Sequence, residues 1–310
     1  MQMLSMMVPS QHCFGARCVR HGIATQFLDQ DTFTYADQCR IWWWLAVALY
    51  AKAMRTPWAL DGLDPNTAFV GLGYTVKKHA AKGQHVVLGC SHLYNAQGHG
   101  LQFRLSQIEN PYFVGRNPHM SFEDARRVGD TIRTLFWESR LMLPERVVIH
   151  KLTPFRKDEQ KGLRAGLEGV SQLELLEINH ESALRFISSK QTEAGFEDSM
   201  FPVRRGTTVR LHDHEALLWI HGSTDAVRPN WTYFQGKRRI PGPVVIRRYG
   251  GSSDLPVLGS EILGLSKMDW NSGDLYSQLP ATVESSRRIA RIGSLLERFG
   301  ERSYDYRLFM

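Results

Sequence analysis

Three runs of strand-forming residues, 67–76, 85–91 and 100–106, follow one another, separated by Lys/Gly and Asn/Gln/Gly turn segments. This succession constrains the chain more than any other feature. Strands joined by short turns pair as hairpins, so two hairpins in a row predict an antiparallel three-stranded meander. The pattern then changes period. Ser121-Phe122-Glu123-Asp124 is a capping signature, a serine followed three residues on by an acid, and it opens a helix expected to reach about Leu143. A strand at 146–151, a helix at 157–169 and a strand at 173–180 come next. That is a β-α-β unit, and such a unit sets its two strands parallel.

Residues 206–219 and 242–249 read as further strands, and 254–263 and 280–299 as helices. Ahead of the meander, residues 37–54 carry apolar side chains nearly all round a helix, ending near Thr56-Pro57 where proline opposes continuation. Apolar on every side, this helix is expected to be interior. Three antiparallel strands, a helix, then alternating strands and helices is the order of an RNase H-like α/β fold.

With 43% hydrophobic and 22% charged residues, a chain of 310 can bury a substantial core, which excludes a disordered tail. Lysine and arginine total 38 against 31 acids, a net charge of +7. That excess favours a polyanionic partner through phosphate contacts and counterion release. Cys13, Cys18, Cys39 and Cys90 have neither paired CxxC spacing nor the density of a disulfide scaffold. They are expected to be reduced thiols in a cytoplasmic protein. The apolar start, residues 1–9, and the apolar run 41–50 are both too short to span a bilayer, so no membrane anchor is expected.

Three small motifs bear on other chemistry. His212-Asp213-His214 with His221 has the residue types of a metal site, but on a strand His212 and His214 share one face and Asp213 takes the other. The alternative is an exposed polar strand. Gly71-Leu72-Gly73 lacks the third glycine and the following helix of a dinucleotide fingerprint. Gly250-Gly251-Ser252-Ser253 before a helix is either an anion-binding turn or a plain loop.

The C-terminal third is more specific. Lys267-Met268-Asp269-Trp270-Asn271, Leu279-Pro280-Ala281-Thr282-Val283 and Ile289-Ala290-Arg291-Ile292-Gly293 resemble the end of the PIWI domain of prokaryotic Argonautes. Phe69-Val70-Gly71-Leu72-Gly73 resembles the first PIWI strand, Val147-Val148-Ile149-His150-Lys151 the strand leading to a second catalytic acid, and Pro243 to Arg248 a later strand. The resemblance spans roughly residues 10–310 and implies a PIWI domain over 61–310. Residues 1–60 would then be the C-terminal part of a MID domain, a partial Rossmann-like segment. A chain of this length lacks the N-terminal half of a normal MID domain and the N and PAZ domains, so it is expected to be shortened or completed by a partner.

In that family the MID domain holds the 5′ phosphate of a guide strand. Gly22-Ile23-Ala24-Thr25-Gln26 resembles its glutamine-bearing motif, and Lys52, before Pro57-Trp58, its phosphate-binding lysine. A terminal phosphate needs a cation and neutral donors converging in a water-poor pocket; the alternative for Lys52 is a solvated helix lysine. Upstream, the family's aromatic or histidine position falls at His12 and its basic position at Ala16, with Arg17 or Arg20 as substitutes for the missing charge. The resemblance also implies a Mg²⁺ held by Gln26 and the carboxylate of Met310, since a hard ion suits oxygen ligands. Otherwise Leu308-Phe309-Met310 is a terminal strand that packs. Arg247, Arg248 and Lys267 are the expected contacts to the guide backbone.

Cleavage on an RNase H-like fold needs several carboxylates holding two cations roughly 4 Å apart. By resemblance, the family's first aspartate falls at Gly73, its second at Leu152, and its last acid or histidine at Arg287. Glu284 and Asp269 lie near the last of these, whereas Gly73 and Leu152 have no acid within three residues. The resemblance therefore implies an inactive short Argonaute that is not an enzyme. Such a protein would bind a 5′-phosphorylated RNA guide, recognise single-stranded DNA, and signal to an APAZ-containing effector with a sirtuin-like, TIR or nuclease domain in bacterial defence. The rival readings are an active nuclease with a rearranged acidic cluster and a structural subunit that binds no guide.

Overall fold

The computed structural model describes residues 14–15, 17–19, 21–34, 36–79, 83–93, 101–180, 183–199, 201–224, 240–270, 277–293 and 304–309. In chain order, helix α1 (Gln38–Lys52) precedes strands β1 (Thr67–His79), β2 (Gly83–Leu93), β3 (Leu101–Ile108), β4 (Tyr112–Val114) and β5 (Asn117–His119). Helix α2 (Phe122–Arg140), strand β6 (Arg146–Lys151), helix α3 (Lys157–Gly166) and strand β7 (Gln172–Asn179) follow. Then come β8 (Ser189–Thr192), β9 (Gly195–Asp198), β10 (Thr208–His212), β11 (Glu215–Leu218) and β12 (Val244–Gly250). Helices α4 (Leu255–Leu265) and α5 (Ala281–Gly293), strand β13 (Tyr304–Asp305) and a 3₁₀ turn, Tyr306–Phe309, are the last of the described elements.

Among the described residues, nine strands form one sheet in the order β10-β11-β12-β7-β6-β1-β2-β3-β13. The meander β1-β2-β3 is antiparallel throughout. β6 runs parallel to both β1 and β7, as the β-α-β pattern requires. Three neighbouring strands at the centre of the sheet therefore point the same way.

Alternation along these strands distributes the core between two faces. Val147 and Ile149 of β6 pack with Val70, Leu72, Ile132, Phe136 and Leu163 under α2 and α3. Val148, one residue out of phase, packs with Phe69, Ile178, Leu258, Ile262 and Val283 under α4 and α5. Each fully buried aliphatic or aromatic side chain here contributes about 1.5–3 kcal/mol relative to exposure. The cap of α2 forms as its sequence requires: Ser121 Oγ accepts from the Asp124 amide at 3.2 Å. The Asp124 carboxylate accepts from the Asn110 amide at 3.1 Å, which fastens the helix to the end of the meander. The helix stops at Arg140 because Leu141 takes a left-handed conformation, φ 58°.

Three readings need correction. The expected helix 37–54 is α1, but it is not interior. It buries Val47, Ala48, Ala51 and Lys52, whereas Trp42 and Trp43 are 52% and 62% exposed. An apolar sequence on all sides does not supply neighbours on all sides. Residues 206–219 are not one strand but the hairpin β10-β11, with Asp213 and His214 at the turn. The rings of His212 and His214 stack at 6.2 Å, and Arg210 pairs with Asp213. In the terminal stretch Leu308-Phe309-Met310, for which a packed strand is the alternative reading, Leu308 and Phe309 belong to a 3₁₀ turn that packs against α1 and β3, and Met310 lies outside the described residues. Residues 294–299 of the expected last helix lie outside the described residues. Among the described residues, no helix is long and apolar enough to cross a membrane.

Candidate functional site

α1 ends at Lys52, after which Met54 turns to φ 60° and the chain leaves the helix axis. The Lys52 side chain is drawn inward and only 9% of the residue is exposed. Its ammonium donates to the Thr25 carbonyl at 2.6 Å and to Gln26 Oε1 at 2.5 Å. Both acceptors are neutral, and burial pushes the Lys52 amine down to about 8. A half-desolvated cation held by two uncharged oxygens keeps one N–H for a further acceptor, and an anion would stabilise it most. Gln26 also lines a cavity of about 600 Å³ with Phe27, Trp44, Ala48 and Trp270. The cavity thus has a polar end and aromatic walls.

The other predicted phosphate ligands are less informative. Arg17 lies exposed in the helical stretch 17–19. His12 and Met310 lie outside the described residues. The predicted guide-backbone arginines are engaged within the protein. Arg247 sits 3.2 Å from Glu215 and 3.7 Å from Glu177. Arg248 donates to the carbonyls of Ser253 at 2.5 Å and Asp213 at 2.8 Å, tying the Gly250-Gly251 loop to the β10-β11 turn. Lys267 is exposed, and its carbonyl accepts from the Trp58 indole at 2.6 Å.

The positions assigned to the family's catalytic acids converge. Leu72 is in register with Lys151, so Gly73 and Leu152 lie at the same level of the adjacent parallel strands β1 and β6. α5 crosses above them. A Cβ on Gly73 would sit 2.7 Å from the Arg287 amide nitrogen and 2.7 Å from the Ser286 carbonyl carbon. On neighbouring Gly89 it would sit 2.3 Å from the Ser286 oxygen. Two facing glycines thus let the helix backbone rest directly on the sheet, in space that any side chain would need. Leu152 is packed against the apolar cluster beneath α5. Of the nearby acids, Asp269 is bound 3.2 Å from Arg288 and Glu284 lies 3.8 Å from Arg287. Among the described residues, no three His, Cys, Asp or Glu side chains are grouped to hold a metal ion, the His212 to His221 region included.

Sequence reasoning missed a buried polar hub on the opposite face of β6. Glu159 accepts from Lys151 Nζ at 2.6 Å, from the amides of Met120 at 3.0 Å and Arg156 at 2.9 Å, and from Tyr74 Oη at 3.3 Å. His119 Nδ1 lies 3.3 Å away. Lys151 and Glu159 are at most 1% exposed. A lysine closing an apolar strand was the available signal. On the α5 side, His150 is wholly buried with Nδ1 2.8 Å from Thr282 Oγ1, and burial pushes its imidazole down to about 3. It is a neutral packing group.

No family model and no curated protein matches this chain. Solved structures do. Clostridium butyricum Argonaute, bound to a guide DNA and a 19-mer target DNA, superposes with a TM-score of 0.67 at 15% identity, over 96% of this chain and 37% of that one. A. aeolicus Argonaute gives 0.66 at 19% identity over 96% and 39%, and the A. aeolicus protein with externally bound siRNA gives 0.65 at 19% over 96% and 38%. The α/β fold is that of the MID and PIWI portion of Argonaute. The chain spans somewhat under two fifths of the length of these structures.

Proposed function

We propose that this chain is the guide-holding and target-recognising part of an Argonaute-like protein that does not cut its target. The observation that carries the reading is the Lys52 ammonium, buried against Gln26 and Thr25, with neutral partners alone among the described residues. A 5′ phosphate fits this site: it supplies the missing anion and accepts charge-assisted hydrogen bonds. The Argonaute fold and the net charge of +7 support the same assignment. Lys52 and Gln26 bind the phosphate, with Arg17 and His12 as further members of the pocket. Gln26 Oε1 already faces the Lys52 ammonium, so a Mg²⁺ on that oxygen would meet a positive charge. The described residues do not fit a cation there, and the phosphate is held through Lys52.

The backbone contact at Gly73 and the apolar surroundings of Leu152 favour recognition without cleavage. Base pairing with a bound guide supplies sequence choice, with the protein contacting backbone and shape. The guide is a 5′-phosphorylated RNA and the target single-stranded DNA. Recognition is relayed to an APAZ-containing effector, and the exposed tryptophans of α1 leave apolar surface for such a partner. The test is equilibrium binding of 5′-phosphate and 5′-hydroxyl guides to the parent and to Lys52→Ala, with target cleavage followed in parallel. A phosphate preference lost in the variant, without cleavage, is expected; equal binding of both guides by the parent overturns the reading, and metal-dependent cleavage overturns its second half.

A further inference from the structure

We propose that the cavity between the linker 60–64 and α4, at the amino end of β6, binds a small zwitterion of the amino-acid or short-peptide class. It shares no lining residue with the cavity beside Gln26 and goes beyond the guide-binding reading.

Helical periodicity builds one wall. Leu258, Ile262 and Leu265 of α4 are buried in the core. Val257, Ser260, Glu261 and Gly264, at i, i+3, i+4 and i+7, share another face and line a cavity of about 690 Å³. That volume is within the range of roughly 300–1,000 Å³ that small-molecule sites occupy. The linker forms a second wall and is fastened to the end of α4. Trp58 donates its indole N–H to the Lys267 carbonyl at 2.6 Å, and a Cβ on Gly264 would sit 3.5 Å from Leu60 Cδ1, an ordinary contact. Arg146, the first residue of β6 and in register with Thr67 of β1, also lines the cavity. The six residues of β6, about 20 Å of strand, separate it from Leu152 beneath α5.

The lining holds three acids and three cations, so it favours neither a plain anion nor a plain cation. Their origins differ. Asp61 and Asp64 come from the linker, whereas Arg146, Arg205 and Lys267 come from the start of β6, the segment before β10 and the residues after α4. The third acid, Glu261, is taken by Arg146 end-on, with Nη1 donating to Oε1 at 2.5 Å and Nη2 to Oε2 at 3.0 Å. A guanidinium paired in this way keeps its Nε edge for another acceptor. Arg146 Nε is shielded from solvent and, among the described residues, has no hydrogen-bond partner. A buried donor in that state is costly, and a carboxylate accepting from it removes the cost with a charge-assisted bond. On the linker, the exposed Asp61 offers its own carboxylate to an ammonium. Leu63, Val257 and Leu263 supply apolar surface for the body of the ligand.

The test is calorimetric binding of the dipeptide Leu-Leu, with its C-terminal amide and its N-acetyl form as probes lacking one charge each. The parent is compared with Ser260→Trp, which fills the cavity from an exposed position of α4, with Asp61→Asn, and with the pair Arg146→Met and Glu261→Met, which leaves no buried charge alone. Melting temperatures without ligand check the fold, and with ligand they should rise. Leu-Leu should bind the parent about tenfold more tightly than the amide does. Asp61→Asn should weaken Leu-Leu about threefold and leave the acetyl form unchanged. The methionine pair should weaken Leu-Leu and leave the amide unchanged, and Ser260→Trp should abolish binding of all three. The comparison of probes on the parent holds even where a variant fails to fold. No binding of Leu-Leu to the parent, equal binding of the three probes, or parent affinity in a folded Ser260→Trp protein each overturns the proposal and leaves the guide-binding reading standing.

Discussion

Lys52 and Gln26 are 26 residues apart in the chain, yet the lysine ammonium lies 2.5 Å from the glutamine Oε1. An ammonium taken out of water against two neutral carbonyls is left without a counter-charge, and an anion beside it offsets that desolvation. The Lys52→Ala variant should therefore lose the distinction between phosphorylated and hydroxyl guides. A charge-assisted hydrogen bond is worth about 1.5–3 kcal/mol, so the preference should fall roughly 10- to 150-fold. Fluorescence anisotropy with the two guides measures it, and an undiminished preference in the variant would remove Lys52 from the pocket.

The same lysine makes the preference depend on pH. Burial sets its amine at about 8 in the free protein, against an ordinary value of 10.5. The phosphate binds the charged form, so the preference should be full well below pH 8 and decline above it. A phosphate monoester is already dianionic over that range, its second pKa being about 6. The ligand's charge therefore stays constant while Lys52 titrates. A preference flat from pH 7 to 9.5 would show that another group carries the contact.

Restoring the first acid should not restore cleavage. In Gly73→Asp even the Cβ meets the α5 backbone at 2.7 Å, and Gly89→Ala meets it at 2.3 Å. Either must lift the helix from the sheet. Overpacking of this kind costs about 1–3 kcal/mol, occasionally more, so both variants should melt at lower temperature than the parent. Gly73→Asp should show no metal-dependent cleavage of a paired target. Parent-like melting in both variants would mean that α5 does not rest on these glycines.

The Glu159 hub should govern stability in acid. Burial alone would raise its carboxyl, but the hydrogen bond from His119 and the charge of Lys151 together hold it at about 2, against 4.5 ordinarily. A carboxyl depressed by folding contributes stability that is present above its unfolded value and lost as pH falls towards the folded one. Denaturant melts of the parent should thus weaken between about pH 4.5 and 2, and Glu159→Gln should flatten that slope. Lys151→Met, which leaves the buried carboxylate without its cation, should cost about 3–5 kcal/mol at neutral pH. A loss below 1 kcal/mol would show that the remaining donors suffice.

The sequence alone determined the local structure. The apolar run 147–149, the Ser121 cap and the turns of the meander depend on neighbours within a few residues, so their signals survive in the order of the residues. They led to the α/β fold, the antiparallel meander and the parallel pair β6-β7. The joining of Gln26 to Lys52 was legible only through resemblance to a family, and the chemistry of those side chains by themselves allowed a surface lysine. Tertiary structure decided the rest. Which sides of α1 are covered depends on what packs there, and its composition carries no record of that. Whether 206–219 stays straight or turns at Asp213 is settled by pairing of β11 with β12, a partner more than twenty residues away. The seating of α5 on Gly73 and Gly89, and the gathering of Glu159, Lys151 and His119, bring together segments distant in the chain. Such contacts arise from the close packing of whole layers, in which each residue's surroundings are supplied by others far away.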